Sequence, residues 1–555
     1  MSPCSARADR RHFLYEGVTA AAIFSLSLLL IYRLAILDFD PHHTGLMYKT
    51  ALDMASGKVL FRDTYTQYGA LTSSLQALSL LVLGKRVTSI LFSTAFFYAA
   101  SLTLFYAICR RFLPRSLSVT AVAITLFLAP YYTWTFHPWS SVYALFFLLL
   151  SALMTIKAAT DGSLLFGGAA GFFATLTFWC RQPVGLVALL AILLPLFLFF
   201  AVYRRHDPAA SRRFLLQCSA AAVGTLLAFF AFFIPIVANG ALTDFRRQCL
   251  EGMVTFADSR SQAPGGVLGM ALYNLFLSPL DGLDTLLIDY IWFLLPLSSL
   301  ALFGLYTYRL LRKSDKNVEQ DCHCLSLIVF SVFAVASWHQ YYPVACYRHW
   351  YWGAFPSVLS AVLLARELVG LLLSHTRPER ATDRKWNMGA LVLCLCLLFG
   401  TNLGYRMGHG TAKLISTRER VKYEHEVYHH LDGVYLWEDV ALYHSELFDA
   451  VAVLQEKFPE KNIINTTENA IYALFGENFC PLFNNCGDFF YAEYPALLAD
   501  YIERERPIVI GKDAPDESYV RWMTPNGNPD DPFADYHRLP AHIYVPAELM
   551  ERLGG

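Results

Sequence analysis

The sequence predicts a polytopic α-helical membrane protein of about eleven transmembrane helices, with a small extracytoplasmic α/β domain at its C-terminal end. Three observations carry that reading. Of 555 residues, 55% are hydrophobic and only 16% charged, where soluble domains run nearer about a quarter charged. Apolar runs of roughly 18 to 25 residues recur along the first ~400 positions, enough to cross about 30 Å of hydrocarbon as helices, whose backbone satisfies its own hydrogen bonds there. From about Gly404 onward the chain turns polar and stays so. The net charge of −1 says nothing about a nucleic-acid partner, and no Arg/Lys-rich tract suggests one, so none is expected.

Taken in order, the first element is a retained membrane helix. Arg7, Arg10 and Arg11 precede an apolar run too long for the hydrophobic part of a signal peptide, with no convincing small-x-small cleavage site after it. The expected spans are 13–37, 87–110, 117–131, 141–158, 163–180, 184–203, 214–238, 285–310, 324–338, 354–373 and 387–404, with 71–84 as a further short or interfacial helix. Basic residues fall in alternate loops: Arg110, Arg111 and Arg115; Arg204, Arg205, Arg212 and Arg213; Arg309, Arg312, Lys313 and Lys316; Arg377, Arg380, Arg384 and Lys385. The positive-inside rule then sets the N-terminus in the cytoplasm and the C-terminus outside. The loops 38–86, 131–140, 239–284 and 339–353 share the outer face with everything beyond about residue 405.

This divides the chain into a membrane domain, 1–404, and a soluble domain, 405–555. In the latter, "ELFDAVAVLQEKF" then "NIINTT", and "YPALLADYIERE" then "RPIVIGKD", each read as a helix followed by a short strand. No nucleophile elbow or Gly-rich phosphate loop appears there, and the domain is expected to shape an acceptor entrance. Asn465-Thr466-Thr467 is a sequon with meaning only in a eukaryotic lumen. Of twelve cysteines most lie in apolar runs; Cys480 and Cys486 form the exception, a candidate disulfide if the domain faces an oxidising compartment. "DCHCL" (321–325) lacks a second ligand pair at zinc spacing.

The densest chemistry follows the first span. "LDFDPHHTGLMYKTALDMASGKVLFRDTYTQYGALTSS" (37–74) sets Asp38 and Asp40 as a DxD triplet, with His42 and His43 beside it and Arg62 and Asp63 farther on. Two carboxylates at that spacing can hold a divalent cation, magnesium or manganese, or one of them can take a proton from a hydroxyl. Acids at a helix end also simply prefer water to lipid, but that does not account for the adjacent histidines.

The run of a first helix, an acidic motif, an amphipathic segment and "LFRDTYTQYGALTSSLQAL" resembles the GT-C superfamily of membrane glycosyltransferases. It is most similar to the bacterial protein mannosyltransferase and aminoarabinose-transferase branch, where G-x-x-x-x-R-D (here Gly57 to Asp63) and a Tyr-Gly pair (Tyr68-Gly69) follow the acid. The resemblance covers the architecture of the whole chain, with motifs in about forty residues. It implies a sugar donor linked to a polyprenyl or dolichyl phosphate, and an essential acid in the first non-cytoplasmic loop. The usual Asp-Glu pair is replaced here by Asp40-Pro41-His42-His43-Thr44-Gly45. Whether Asp38 or Asp40 is the base, and whether a metal takes part, stays open. Asp40 is the first choice and Asp63 the second, as partner acid or as support for Arg62.

Cations at the outer boundary are the candidates for the donor phosphate and sugar. Besides His42, His43 and Arg62 these are Arg181 in "FWCRQPVG", and His339, Arg348 and His349 in "SWHQYYPVACYRHWYWGAFP". A charge this close to the bilayer is costly unless paired or functional, although a snorkelling anchor explains Arg181 equally well. His137, alone in an aromatic loop, reads as structural. Arg246, Arg247 and Arg260 read as a solvated interfacial helix. The expected activity is that of an inverting hexosyl- or pentosyltransferase of a bacterial inner membrane. It would move a sugar from the lipid-linked donor to a glycan, lipid or protein acceptor at a periplasmic site. The alternative is a transporter or flippase of a lipid-linked substrate, which would favour polar groups near mid-membrane and internal repeats.

Overall fold

The computed structural model describes residues 10–37, 39–129, 137–204, 208–252, 282–312, 318–341, 347–376, 384–482, 493–526 and 541–553, with isolated positions at 254, 269, 272 and 277. Nine described helices are long and apolar enough to cross a membrane. These are α1 (Arg10–Ala35), α4 (Val87–Cys109), α6 (Ser140–Asp161), α8 (Gln182–Tyr203), α9 (Pro208–Ala238), α11 (Leu283–Arg312), α12 (Val318–Ser337), α14 (Ser357–Thr376) and α15 (Arg384–Ile415). Two further expected spans appear as shorter apolar helices, α5 (Arg115–Phe127) and α7 (Leu164–Cys180), and the extra stretch forms α3 (Ala70–Leu83). Each of the eleven expected spans therefore coincides with a helix. Three short helices complete this part: α2 (His43–Ala55), α10 (Leu242–Arg246) and α13 (Tyr347–Ala354).

The two ends of the bundle differ chemically. Near the start of α1, Glu16 accepts from Tyr106 Oη at 2.6 Å and pairs with Arg110 and Arg115, each at 3.0 Å. Arg309 and Glu367 pair at 2.7 Å among the basic loops. The other end of α1 opens into the Asp40 loop, and there the polar domain docks.

That domain has the helix-then-strand order expected, twice. α16 (Glu438–Lys457) precedes β3 (Ile463–Asn465), and α17 (Tyr494–Glu505) precedes β4 (Ile508–Gly511). β3 and β4 pair in parallel, as strands joined by a helical crossover must. The sheet order is β3-β4-β6-β5, with β5 (Tyr519–Met523) and β6 (His542–Pro546) antiparallel and α18 (Ala547–Leu553) after them. A two-stranded ribbon, β1 (Arg420–Lys422) and β2 (Tyr435–Trp437), lies between α15 and α16. Within β4 and β6, Ile508, Val509, Ile510, Ile543 and Val545 are fully buried. Burial of β-branched residues on both faces explains the unbroken apolar run of β4.

Loop 56–69 joins α2 to α3 and is held by its own turns, such as Asp63 N to Val59 O at 2.8 Å, and by distant side chains. Gln248 donates to Phe61 O at 2.7 Å and accepts from Thr66 N at 3.1 Å. Gly69 packs so tightly on α7 that a Cβ there would collide with the Trp179 carbonyl. This gives the Tyr-Gly pair a structural reason: no side chain larger than hydrogen fits at that crossing.

Candidate active site

Asp40 is the centre of the site and is only 2% exposed. It lies just before α2, and its Oδ1 accepts from the backbone N–H of His42 at 2.8 Å and of His43 at 3.0 Å. These are the unpaired amides that every helix start offers, so the carboxylate caps α2 while facing into the protein. Its Oδ2 is 2.6 Å from His43 Nδ1. A carboxylate can only accept, so Nδ1 carries the proton and His43 Nε2 is left as the basic nitrogen of the neutral ring. Burial alone would raise the Asp40 carboxyl; the imidazoles of His43, His137 and His42 outweigh it and hold the group well below the usual carboxylate range.

His137 enters from the start of α6. Its Nδ1 is buried with no hydrogen-bond partner among the described residues, 3.7 Å from Asp40 Oδ2, and its ring centroid is 4.9 Å from that of His43. Burial, together with the Arg348 guanidinium, pushes His137 well below the ordinary imidazole range. Asp40, His43 and His137 offer ligand atoms that all lie within 4.8 Å of one another. An orphaned buried nitrogen aimed at this group fits a shared cation. The donor set is one carboxylate oxygen and two imidazole nitrogens, which suits zinc or manganese better than magnesium, an ion of all-oxygen sites.

The walls are aromatic. Trp139 sits edge-on to His43 at 5.2 Å and to Tyr68 at 5.4 Å between centroids, and Gln67 Nε2 donates to Tyr68 Oη at 2.9 Å. From α13, Arg348 acts electrostatically on both His137 and Tyr98, whose hydroxyl accepts from Trp352 Nε1. Among the described residues no hydrogen bond or ion pair claims the Arg348 guanidinium.

Other expected site residues take different places. Arg181 stands at the extended junction of α7 and α8, donates to Ser141 Oγ and lies near His339. The His349 ring is 5.4 Å from Trp352. The His42 ring packs edge-on against His43 at 4.5 Å between centroids, and its Nδ1 meets the Glu468 carbonyl at 2.5 Å. Arg62 and Asp63 bond one another at 2.8 and 3.0 Å, Arg62 also donates to Asn239 O, and Asp63 accepts from Val59 N. They brace the loop. Arg246 pairs with Glu251 and Arg247 with Glu493, while Phe245, Gln248 and Cys249 of the same segment are buried. Asp38, Cys486 and Arg260 lie outside the described residues, and Cys480 donates to Leu482 O at 2.8 Å.

Sequence reasoning passed over a second buried acid. Asp53, on α2, pairs with Lys49 at 2.7 Å and Lys58 at 3.1 Å, and accepts from Thr64 Oγ1 and Asn478 Nδ2, each at 2.9 Å. The available signal was the i, i+4 spacing of Lys49 and Asp53 on one short helix.

No protein-family model and no curated protein matches the chain. Solved structures do resemble it in fold. The oligosaccharyltransferase of Archaeoglobus fulgidus in its apo form is 13% identical over 88% of this chain and 69% of that one, with a TM-score of 0.47. ArnT from Cupriavidus metallidurans in the apo state is 12% identical over 96% of this chain and 99% of that one, at 0.49. ArnT bound to undecaprenyl phosphate is 11% identical over 98% and 99%, at 0.48.

Proposed function

We propose that this chain is a GT-C type glycosyltransferase that moves a sugar from a polyprenyl-phosphate donor to a hydroxyl of a glycan, lipid or protein acceptor. The observation that carries this reading is the buried Asp40–His43–His137 cluster at the exit of an apolar helix, beside the Arg348 guanidinium, which no hydrogen bond or ion pair among the described residues claims. An amphiphilic donor can leave its isoprenoid tail in lipid there while its headgroup reaches acid, base and cation. The ionisable groups of the site gather at helix ends, which suits headgroup chemistry better than passage through mid-membrane.

The step balances as an inverting displacement. The acceptor hydroxyl loses its proton to the Asp40–His43 pair as its oxygen attacks the anomeric carbon. The bond from that carbon to the phosphate oxygen breaks, and polyprenyl phosphate leaves with the bonding electrons. His43 Nε2 is the proton acceptor, with Asp40 holding the ring and stabilising the imidazolium. Arg348 stabilises charge on the departing phosphate, with Arg181 and His339 as further contacts. Where a manganese or zinc ion is bound, Asp40 and His137 would hold it, leaving His43 Nε2 free as the proton acceptor. When bound, that ion supplies Lewis-acid stabilisation of the phosphate. The cluster lies on the non-cytoplasmic face of a bacterial inner membrane in this reading, with the N-terminus inside and the polar domain, 405–555, outside.

The test is transfer from a labelled polyprenyl-phosphate sugar by purified protein in lipid. Asp40→Asn should abolish transfer, a loss of about a thousandfold or more, while expression and donor binding persist. Transfer at the wild-type rate by Asp40→Asn would end the proposal.

A further inference from the structure

The loop that carries Asp40 is gripped along its length by the polar domain. Tyr435 N donates to Ile36 O at 2.8 Å, and Leu37 bridges the same strand. The Phe39 ring packs 5.5 Å from His444. Ile471 N donates to Pro41 O at 3.0 Å, and His42 Nδ1 meets Glu468 O. A Cβ on Gly45 would run into the Ile471 backbone, so α2 and the 470–475 turn touch main chain to main chain. At the far end of α2, Asn478 Nδ2 reaches Asp53 Oδ2 at 2.9 Å and Asp63 O at 3.1 Å. Residues 468–478 thus run beside α2 from its first residue to its last turn.

These contacts bear on Asp40 directly. Its Oδ1 is held by the amides of His42 and His43, so any rotation of the backbone at residues 41–43 turns the carboxylate. Within 41–43, Pro41 and His42 have a backbone carbonyl and a ring nitrogen tied to the polar domain. A carbonyl only accepts, so His42 must donate through Nδ1 and is buried in doing so. Nothing in that geometry lets the same nitrogen touch a substrate.

We infer that His42 is a positioning residue, and that segment 468–478 acts as a strap that fixes the orientation of Asp40 through the Glu468 carbonyl and the turn beside it. The inference rests on the glycosyltransferase reading above, and it gives the polar domain a part in the rate of the reaction rather than only in acceptor entry. Its chemistry predicts a split in the kinetic constants: donor binding stays, and the fraction of bound complexes in attacking geometry falls.

The experiment compares three variants in the full-length protein with the labelled donor. His42→Leu removes the donor and should lower kcat by about tenfold or more, with KM for the donor within about twofold. His42→Asn keeps an N–H at the position of Nδ1 and should restore kcat to within about threefold of wild type. Asn478→Ala, which leaves Asp53 paired with Lys49 and Lys58, should lower kcat by about threefold or more with KM unmoved. If His42→Leu fails to fold, Asn478→Ala decides. An unchanged kcat in a folded His42→Leu or Asn478→Ala protein overturns the strap. An equal loss in the Leu and Asn variants overturns it too, because the imidazole would then act on the substrate itself. Loss of transfer in Asp40→Asn beside a full rate in His42→Leu would sink the strap and leave the glycosyltransferase reading standing.

Discussion

Arg348 and Arg62 are both outer arginines that sequence alone would send to the donor phosphate, yet their surroundings set them apart. Arg62 is exposed and spends its guanidinium on its neighbour Asp63 and a carbonyl; Arg348 is half-buried, next to His137, and claimed by no described side chain. A charge held that way keeps its hydrogen-bonding capacity for a ligand. Arg348→Ala should therefore cut kcat/KM by about a hundredfold, with Arg348→Lys recovering part of it. Arg62→Ala should stay within about threefold of wild type. The comparison is read in one assay, and equal losses would place the phosphate elsewhere. Metal content separates the remaining roles: His137→Ala should lose any manganese or zinc that wild-type protein retains through purification, measured by elemental analysis. Asp40, His43 and Arg348 were legible as polar groups at apolar boundaries. His137 was not, because a lone imidazole among aromatics gives no spacing to a partner; its partners are 94 and 97 positions away in the chain. For His42 the sequence shows nothing of the Glu468 carbonyl that meets its Nδ1, because that partner is 426 positions away.

Helix α2 places charge where the chain leaves the bundle, and its stability depends on a buried network. Lys49 and Asp53 are each under 5% exposed as residues. Burial alone would raise the Asp53 carboxyl, but Lys49, Asn478 and Lys58 outweigh it and depress the group below its ordinary range. A depressed carboxylate contributes stability that is present above its unfolded pKa, about 3.9, and is lost as pH falls through the lower native value. Thermal stability in lipid should thus hold at neutral pH and decline below about pH 4 in wild type. Asp53→Asn removes the buried carboxylate that Lys49 and Lys58 share and should cost about 3 to 5 kcal/mol of stability at pH 7, with most of that acid decline gone. A melting temperature matching wild type at pH 7 would mean the network is dispensable. The long helices were legible because the bilayer demands long apolar runs. The strap at 468–478 was illegible, because His42 and Glu468 stand 426 residues apart and nothing local in either segment encodes the other.

The whole molecule combines two surfaces of opposite use. One end of the bundle carries Arg110, Arg115, Arg309 and their acids; the other carries Asp40, His137, Arg181, Arg348 and the docked polar domain. Helix direction alone puts these groups at opposite ends of α1, because Glu16 and Asp40 flank it. By the positive-inside rule the basic end is the one expected in the cytoplasm, since Lys and Arg resist translocation. Two exposed positions test this. Lys512 follows β4 in the polar domain, and Ser116 lies beside Arg115 at the start of α5. In a background without native cysteines, Lys512→Cys should react with a membrane-impermeant maleimide in intact cells whose outer barrier is opened. Ser116→Cys should react only after the inner membrane is permeabilised. The reverse pattern would put Asp40 in the cytosol, where the donor proposed here would have to be presented from the opposite leaflet. Labelling of both sites in intact cells would break the helix count instead, because an odd number of spans must separate Ser116 from the polar domain for one to be shielded and the other reached.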